Sequence, residues 1–126
     1  MRRLELLGVL SWVLGGLYLA GALLLVVVGA LGGLGFLDPS DTLPERLQGG
    51  VASAVLGGTA GALGGAHVLV GTALRALRPW ARTAGLVLGV VDILCCCNAP
   101  LATAFGIFAL VVLLSDDVAK LFPRPG

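Results

Sequence analysis

Charge is what this chain has least of. Its 126 residues include eight Lys and Arg and seven Asp and Glu, 12% in all, where a soluble domain carries about 25%. So little charge leaves no surface suited to water. The net charge of +1 excludes the basic face of a nucleic-acid binder, so no nucleic-acid partner is expected. Histidine occurs once, at His67, and cysteine three times, at the adjacent positions Cys95, Cys96 and Cys97. Three contiguous cysteines form no disulfide framework. They diverge by about 100° each on a helix, so they form no zinc site either. Nucleophile elbows, HExxH, phosphate-binding loops and Cys-x-x-Cys pairs are all missing. The longest polar stretches run to about a dozen residues, too short for a catalytic module outside a membrane. The chain is therefore read as no enzyme, with no catalytic residue, no metal and no cofactor.

What the chain has instead is apolar residues, 58% of the total, twenty glycines and a mean hydropathy of +1.05. Residues 6–37 hold no charge, and as straight helix they would measure about 48 Å against a bilayer core of about 30 Å. A signal-peptide reading competes here, because Met1-Arg2-Arg3 is basic and Ala20-Gly21-Ala22 resembles a cleavage site. The apolar run continues well past that site, which favours a membrane span. A loop comes next over residues 38–48, with turn chemistry at Asp38-Pro39-Ser40-Asp41 and a stiffening Pro44.

Residues 49–74 also carry no charge. Gly49, Ser53, Gly57, Gly61 and Gly65 form one stripe at a spacing of four, and Gly50, Ala54, Gly58, Ala62 and Ala66 form a second beside it. Such glycine-zipper faces let helices approach closely in lipid, so Gly57, Gly58, Gly61, Ala62 and Gly65 are expected to pack helices. Ala102 and Gly106 give the last helix a shorter face of the same kind. Pro79 and Pro100 each suit the first turn of a helix. Trp80 suits a membrane interface.

These signals predict an all-α fold in one domain, 1–126. It is an integral-membrane antiparallel bundle of four helices at about 4–34, 48–76, 79–97 and 100–121. Arg2, Arg3, Arg75, Arg78, Arg82, Lys120 and Arg124 then collect on one side and Arg46 alone on the other, so both termini are expected to be cytoplasmic.

Among the polar groups inside the predicted spans, Asp92, His67 and Tyr18 are the candidates for a role. Asp92 is the one carboxylate at membrane depth, and a carboxylate there normally faces the bundle interior. Tyr18, with Thr59 and Thr103, is expected at its level. His67 is expected about 9 Å off that level when both are counted from the turn at Arg75–Pro79, which argues against direct pairing. Arg75, Arg78 and Arg82 are expected to meet Asp116 and Asp117 in a cytoplasmic charge cluster that clamps the helices. The aspartates there sit unfavourably near a helix C-terminus.

The sequences RPWAR at 78–82 and APLATAFGIFALVVLLSDD at 99–117, with the Lys120-Leu121-Phe122 tail, make the C-terminal half resemble a loose group of small four-span bacterial membrane proteins of unknown function. That resemblance implies the bacterial inner membrane and no transferable activity. Two functions remain in view. One is a structural or accessory subunit that packs through its glycine faces onto a second copy or another membrane protein. The other is an oligomeric ion or proton channel, or a small transporter, using Asp92 and His67.

Overall fold

A computed structural model describes residues 2–94 and 100–122. Cys95, Cys96 and Cys97, the end of the predicted third helix, lie outside the described residues, as do Asn98 and Ala99. Every regular element is helical among them: α1 (Arg2–Gly33), α2 (Leu43–Arg75), α3 (Pro79–Leu94), α4 (Pro100–Leu114) and the short α5 (Asp116–Ala119). α1 and α2 are long and apolar enough to cross a membrane, and α4 is a shorter apolar helix.

Helix ends obey local chemistry. α1 stops at Gly33, two residues before Gly35, which takes a left-handed φ of 79°. The Phe36 N–H donates to the Leu31 carbonyl and the Gly35 N–H to the Gly32 carbonyl, which is the Schellman pattern. α2 begins five residues earlier than the predicted 48. The cause is a capping box: Glu45 Oε2 accepts from both the backbone N–H and the hydroxyl of Thr42, each at 2.8 Å, and Pro44 sits in the first turn. α2 ends in a second Schellman turn, with Arg78 N–H on the Ala73 carbonyl and Leu77 N–H on the Leu74 carbonyl. Here the left-handed residue is Leu77, at φ 51°. Leucine tolerates that conformation less well than glycine, and its packing against the core compensates.

The last predicted helix, 100–121, is not continuous. Ser115 turns to extended backbone, ψ 138°, and its hydroxyl donates to the Val112 carbonyl at 2.7 Å. α5 starts afresh behind it.

The chain divides into two compact units, residues 16–65 and residues 1–15 with 66–126. In the first, α1 and α2 form an antiparallel hairpin packed backbone to backbone. A Cβ on Gly57 would meet the Ala22 carbonyl oxygen at 3.2 Å, and one on Gly29 would strike Ser53. In the second unit, a Cβ on Gly71 would lie 2.9 Å from the Gly8 carbonyl oxygen, so these glycines mark a close crossing of the two helices. Many buried positions recur every seven residues: Ala22 and Gly29 on α1 and Gly57 and Gly64 on α2 in the first unit, and Leu4 and Ser11, Gly8 and Gly15 on α1 and His67 and Leu74 on α2 in the second. Leu7, Val70 and Ala73 are buried off that spacing, in the core of the second unit. A spacing of seven is the one expected where two helices pack along a seam.

Also in the second unit, α3 and α4 pack antiparallel through Gly89 and Gly106, whose backbones meet directly. Leu4, Leu7, Val70, Leu74, Leu113, Val118 and Phe122 fill its core.

Candidate functional site

The core of the second unit is apolar except at one place. His67 Nε2 and Asp92 Oδ2 lie 2.9 Å apart, and both side chains are 0% exposed. Each is positioned by a glycine contact. Gly71, one turn beyond His67, brings α2 against α1, where the Ser11 hydroxyl donates to the His67 carbonyl at 2.8 Å. Gly106 brings α4 against α3 beside Asp92: a Cβ on Gly106 would sit 3.3 Å from the Asp92 Cβ. The His67 ring also tilts against Phe105, with centroids 5.6 Å apart and planes at 56°. A cavity of about 10 Å³, lined by Ser11, His67, Phe105 and aliphatic side chains, adjoins the imidazole. That is about the least space that holds one water. Asp92 Oδ1 is buried with no hydrogen-bond partner among the described residues.

Direct pairing of His67 with Asp92 corrects the expected 9 Å offset. Counting from Arg75 ignored three residues that continue the turn of α2, because Ala76 N–H bonds the Thr72 carbonyl and Arg78 N–H bonds the Ala73 carbonyl. Only Ala76 keeps the helical i→i−4 bond, about 1.5 Å more of rise, and the left-handed turn at Leu77 together with the reach of the two side chains closes the rest. Tyr18 belongs to the other unit and is half-buried. Thr59 is exposed, bonding the Val55 carbonyl of its own helix, and Thr103 is half-buried on α4.

The small-residue positions separate as well. Gly57 and Gly106 are buried at helix crossings, and Gly61 lies at ordinary contact distance from Ala22. Nothing stands within 4 Å of a Cβ at Gly58 or Gly65, and Ala62 is exposed. Gly8, Gly71 and Gly89, with Ser11 and Phe105, complete the contacts; Gly89 lies on a spacing of four with the buried Ala81 and Gly85 of α3, whereas Gly8 and Gly71 belong to no such run of small residues. The signal that finds Gly8 and Gly71 is the spacing of seven.

The charge clamp does not form. Among the described residues no arginine pairs with Asp116 or Asp117. Arg75 instead stacks over Trp12 at 4.9 Å, and Trp12 Nε1 donates to the Thr72 hydroxyl at 3.2 Å. Arg82 Nε donates to the Leu113 carbonyl at 3.0 Å, capping the end of α4. Arg78 is exposed. Asp116 and Asp117 occupy the first turn of α5, so their charge meets the favourable end of a helix dipole, not the unfavourable end expected.

In the 38–48 segment, hydrogen bonds from the hydroxyl and backbone N–H of Ser40 hold the Asp38 carboxyl below its ordinary pKa. Arg46 donates to the Pro39 carbonyl at 2.8 Å.

No known family, curated protein or solved structure matches the chain. Its function therefore rests on these residues.

Proposed function

We propose that the chain is a small integral-membrane protein that acts by binding a membrane helix along the outer face of α2. The observation that carries this is that α2 has two small-residue faces and its own chain uses one. Gly57 and Gly64 face inward, whereas Ala54, Gly58 and Ala62 are exposed, and a Cβ at Gly58 would meet nothing. Lipid chains gain little from a flat glycine surface, while another helix packs on it closely.

Exposure supports the membrane setting. Large apolar side chains line the outside of α1 (Leu17, Leu23, Leu24), α2 (Val51, Val55, Leu56) and α4 (Leu101, Val111, Leu114). A patch of that extent in water would aggregate. On this reading α3 and α4 are the third and fourth spans. The excess of arginine on the side shared by both termini sets that side in the cytoplasm, in a bacterial inner membrane. The bound helix belongs to a second copy or to another membrane protein.

The test is the mass of the detergent-solubilised protein by light scattering, for the wild type and for a Gly58→Leu, Ala62→Leu double variant. A wild type heavier than one chain, reduced to one chain in the variant, is the expected result. Equal masses overturn binding to a second copy, and leave another membrane protein as the occupant of the face.

A further inference from the structure

A polar cavity opens in the second unit between the start of α1 and α5. It holds about 330 Å³ and is lined by Arg2, Arg3, Ser115, Asp117, Val118 and Leu121. That volume is at the lower end of the range of small-molecule sites, about 300–1,000 Å³. We propose that this cavity binds the phosphoethanolamine headgroup of a membrane lipid, a phosphate diester joined to a primary ammonium. The site rests on the membrane setting proposed for the chain, and it is separate from the helix-binding face of α2.

The lining divides by hydrogen-bonding sense. Arg2 and Arg3 offer donors only, each in a planar fork that matches phosphate oxygens. An ionised Asp117 offers acceptors only. Ser115 falls on the acceptor side as well, because its hydroxyl donates its proton to the Val112 carbonyl at 2.7 Å and keeps its lone pairs for the cavity. The wall from α1 therefore suits an anion. The wall from Ser115 and α5 suits an ammonium. The two signs share the cavity without meeting, since neither arginine forms an ion pair with Asp117 among the described residues. A ligand that carries both charges fits between them.

Other headgroups match the two walls less well. A glycerol headgroup brings an anion and no cation, so Asp117 repels it. A choline headgroup brings a methylated nitrogen with no N–H to give to Ser115 or Asp117. The ethanolamine headgroup satisfies both walls, and Val118 and Leu121 offer apolar contact to the lipid behind it. The arginines gain too. Cations at the start of α1 face the positive end of its dipole, and a phosphate held between them offsets that. Basic clusters at the end of a membrane span are where lipid headgroups are usually held.

The experiment places the full chain in nanodiscs of ethanolamine, choline and glycerol phospholipids in equal parts, with identical acyl chains. Native mass spectrometry then identifies the lipids that stay with the released protein. The ethanolamine lipid should be retained about fivefold above each of the others, the size of one surface ion pair. Asp117→Asn should abolish its preference over the glycerol lipid. Arg2→Gln with Arg3→Gln should lower retention of all three. Asp116→Asn removes the same charge from a residue outside the lining and should change nothing. All four residues are exposed, so the variants keep the fold. Equal retention of the three lipids by the wild type, a preference for the glycerol lipid, or equal effects of Asp116→Asn and Asp117→Asn overturn the site. Displacement of the retained lipid by free phosphoethanolamine overturns the lipid as occupant and assigns the cavity to the soluble compound. A chain that enters no nanodisc overturns the membrane setting together with the site, whereas a chain that enters without lipid preference overturns the site alone.

Discussion

Gly106 and Gly89 meet carbonyl to Cα across the α3–α4 crossing. A Cβ on Gly106 would lie 2.5 Å from the Gly89 carbonyl oxygen and 2.9 Å from Ile93 Cγ1, whereas a Cβ on Gly89 would lie 3.2 Å from the Gly106 carbonyl oxygen. The crossing is asymmetric, and the asymmetry can be measured. Gly106→Ala forces backbone apart and should cost about 1–3 kcal/mol, as overpacking does. Gly89→Ala should cost less, because its neighbours need to give only slightly. Reversible unfolding in mixed micelles ranks the two, and a smaller loss for Gly106→Ala would contradict the geometry.

Gly71 and Gly16 make a second contrast. A Cβ on Gly71 would be 2.6 Å from Trp12 Cδ1, while one on Gly16 would meet nothing within 4 Å. Alanine at 71 must push Trp12 away from Thr72 and from Arg75. Stability should fall, and the tryptophan emission should shift as Trp12 moves. Alanine at 16 should instead raise stability by about 0.5–1 kcal/mol through helix propensity alone.

Gly35 closes the turn after α1 with a left-handed backbone, and a Cβ there would run into the Arg46 guanidinium. Both effects oppose Gly35→Ala, which should cost about 1–2 kcal/mol on conformational grounds. Gly33→Ala is the control, since its Cβ would meet nothing within 4 Å and it stays within the helix. Thermal melts of the two variants should separate clearly.

Asp38 should titrate below the ordinary value of 3.8, because Ser40 hydrogen-bonds its ionised form. A lowered folded value means that the contribution is complete above the ordinary carboxylate range. It disappears as the pH falls through the folded value. Ser40→Ala should move the Asp38 midpoint upward in a carboxyl titration tracked by magnetic resonance. A midpoint that stays put would show that the hydrogen bonds do not form in solution.

The helical class, the turn before Pro79 and the glycine-led packing of α2 were legible from residue chemistry. The pattern of the seam was not. With twenty glycines in the chain, a spacing of four fits Gly57-Gly61-Gly65 as well as a spacing of seven fits Gly57-Gly64-Gly71. Only the second also places small residues on α1, at Gly8, Gly15, Ala22 and Gly29. Comparing two helices resolves what one leaves ambiguous. Ser115 hid the break before α5 for a different reason. Serine is unremarkable inside an apolar helix, and its bond to Val112 appears only once the backbone has turned. The His67–Asp92 contact depended on how the chain turns after α2, a matter of three residues.

The connection through Leu77 has a consequence for how this protein tolerates change in length. Residues 76–78 are all that separates α2 from α3, and every one of them donates a backbone hydrogen bond into the end of α2. One residue inserted there rotates α3 by about 100° relative to α2 and swings Asp92 toward a neighbouring face, away from His67. Residues 34–42 can change length without turning either partner of the pair. The shortest connection thus acts as a ratchet stop for the buried pair, and insertions should be tolerated near Asp41 and excluded near Leu77.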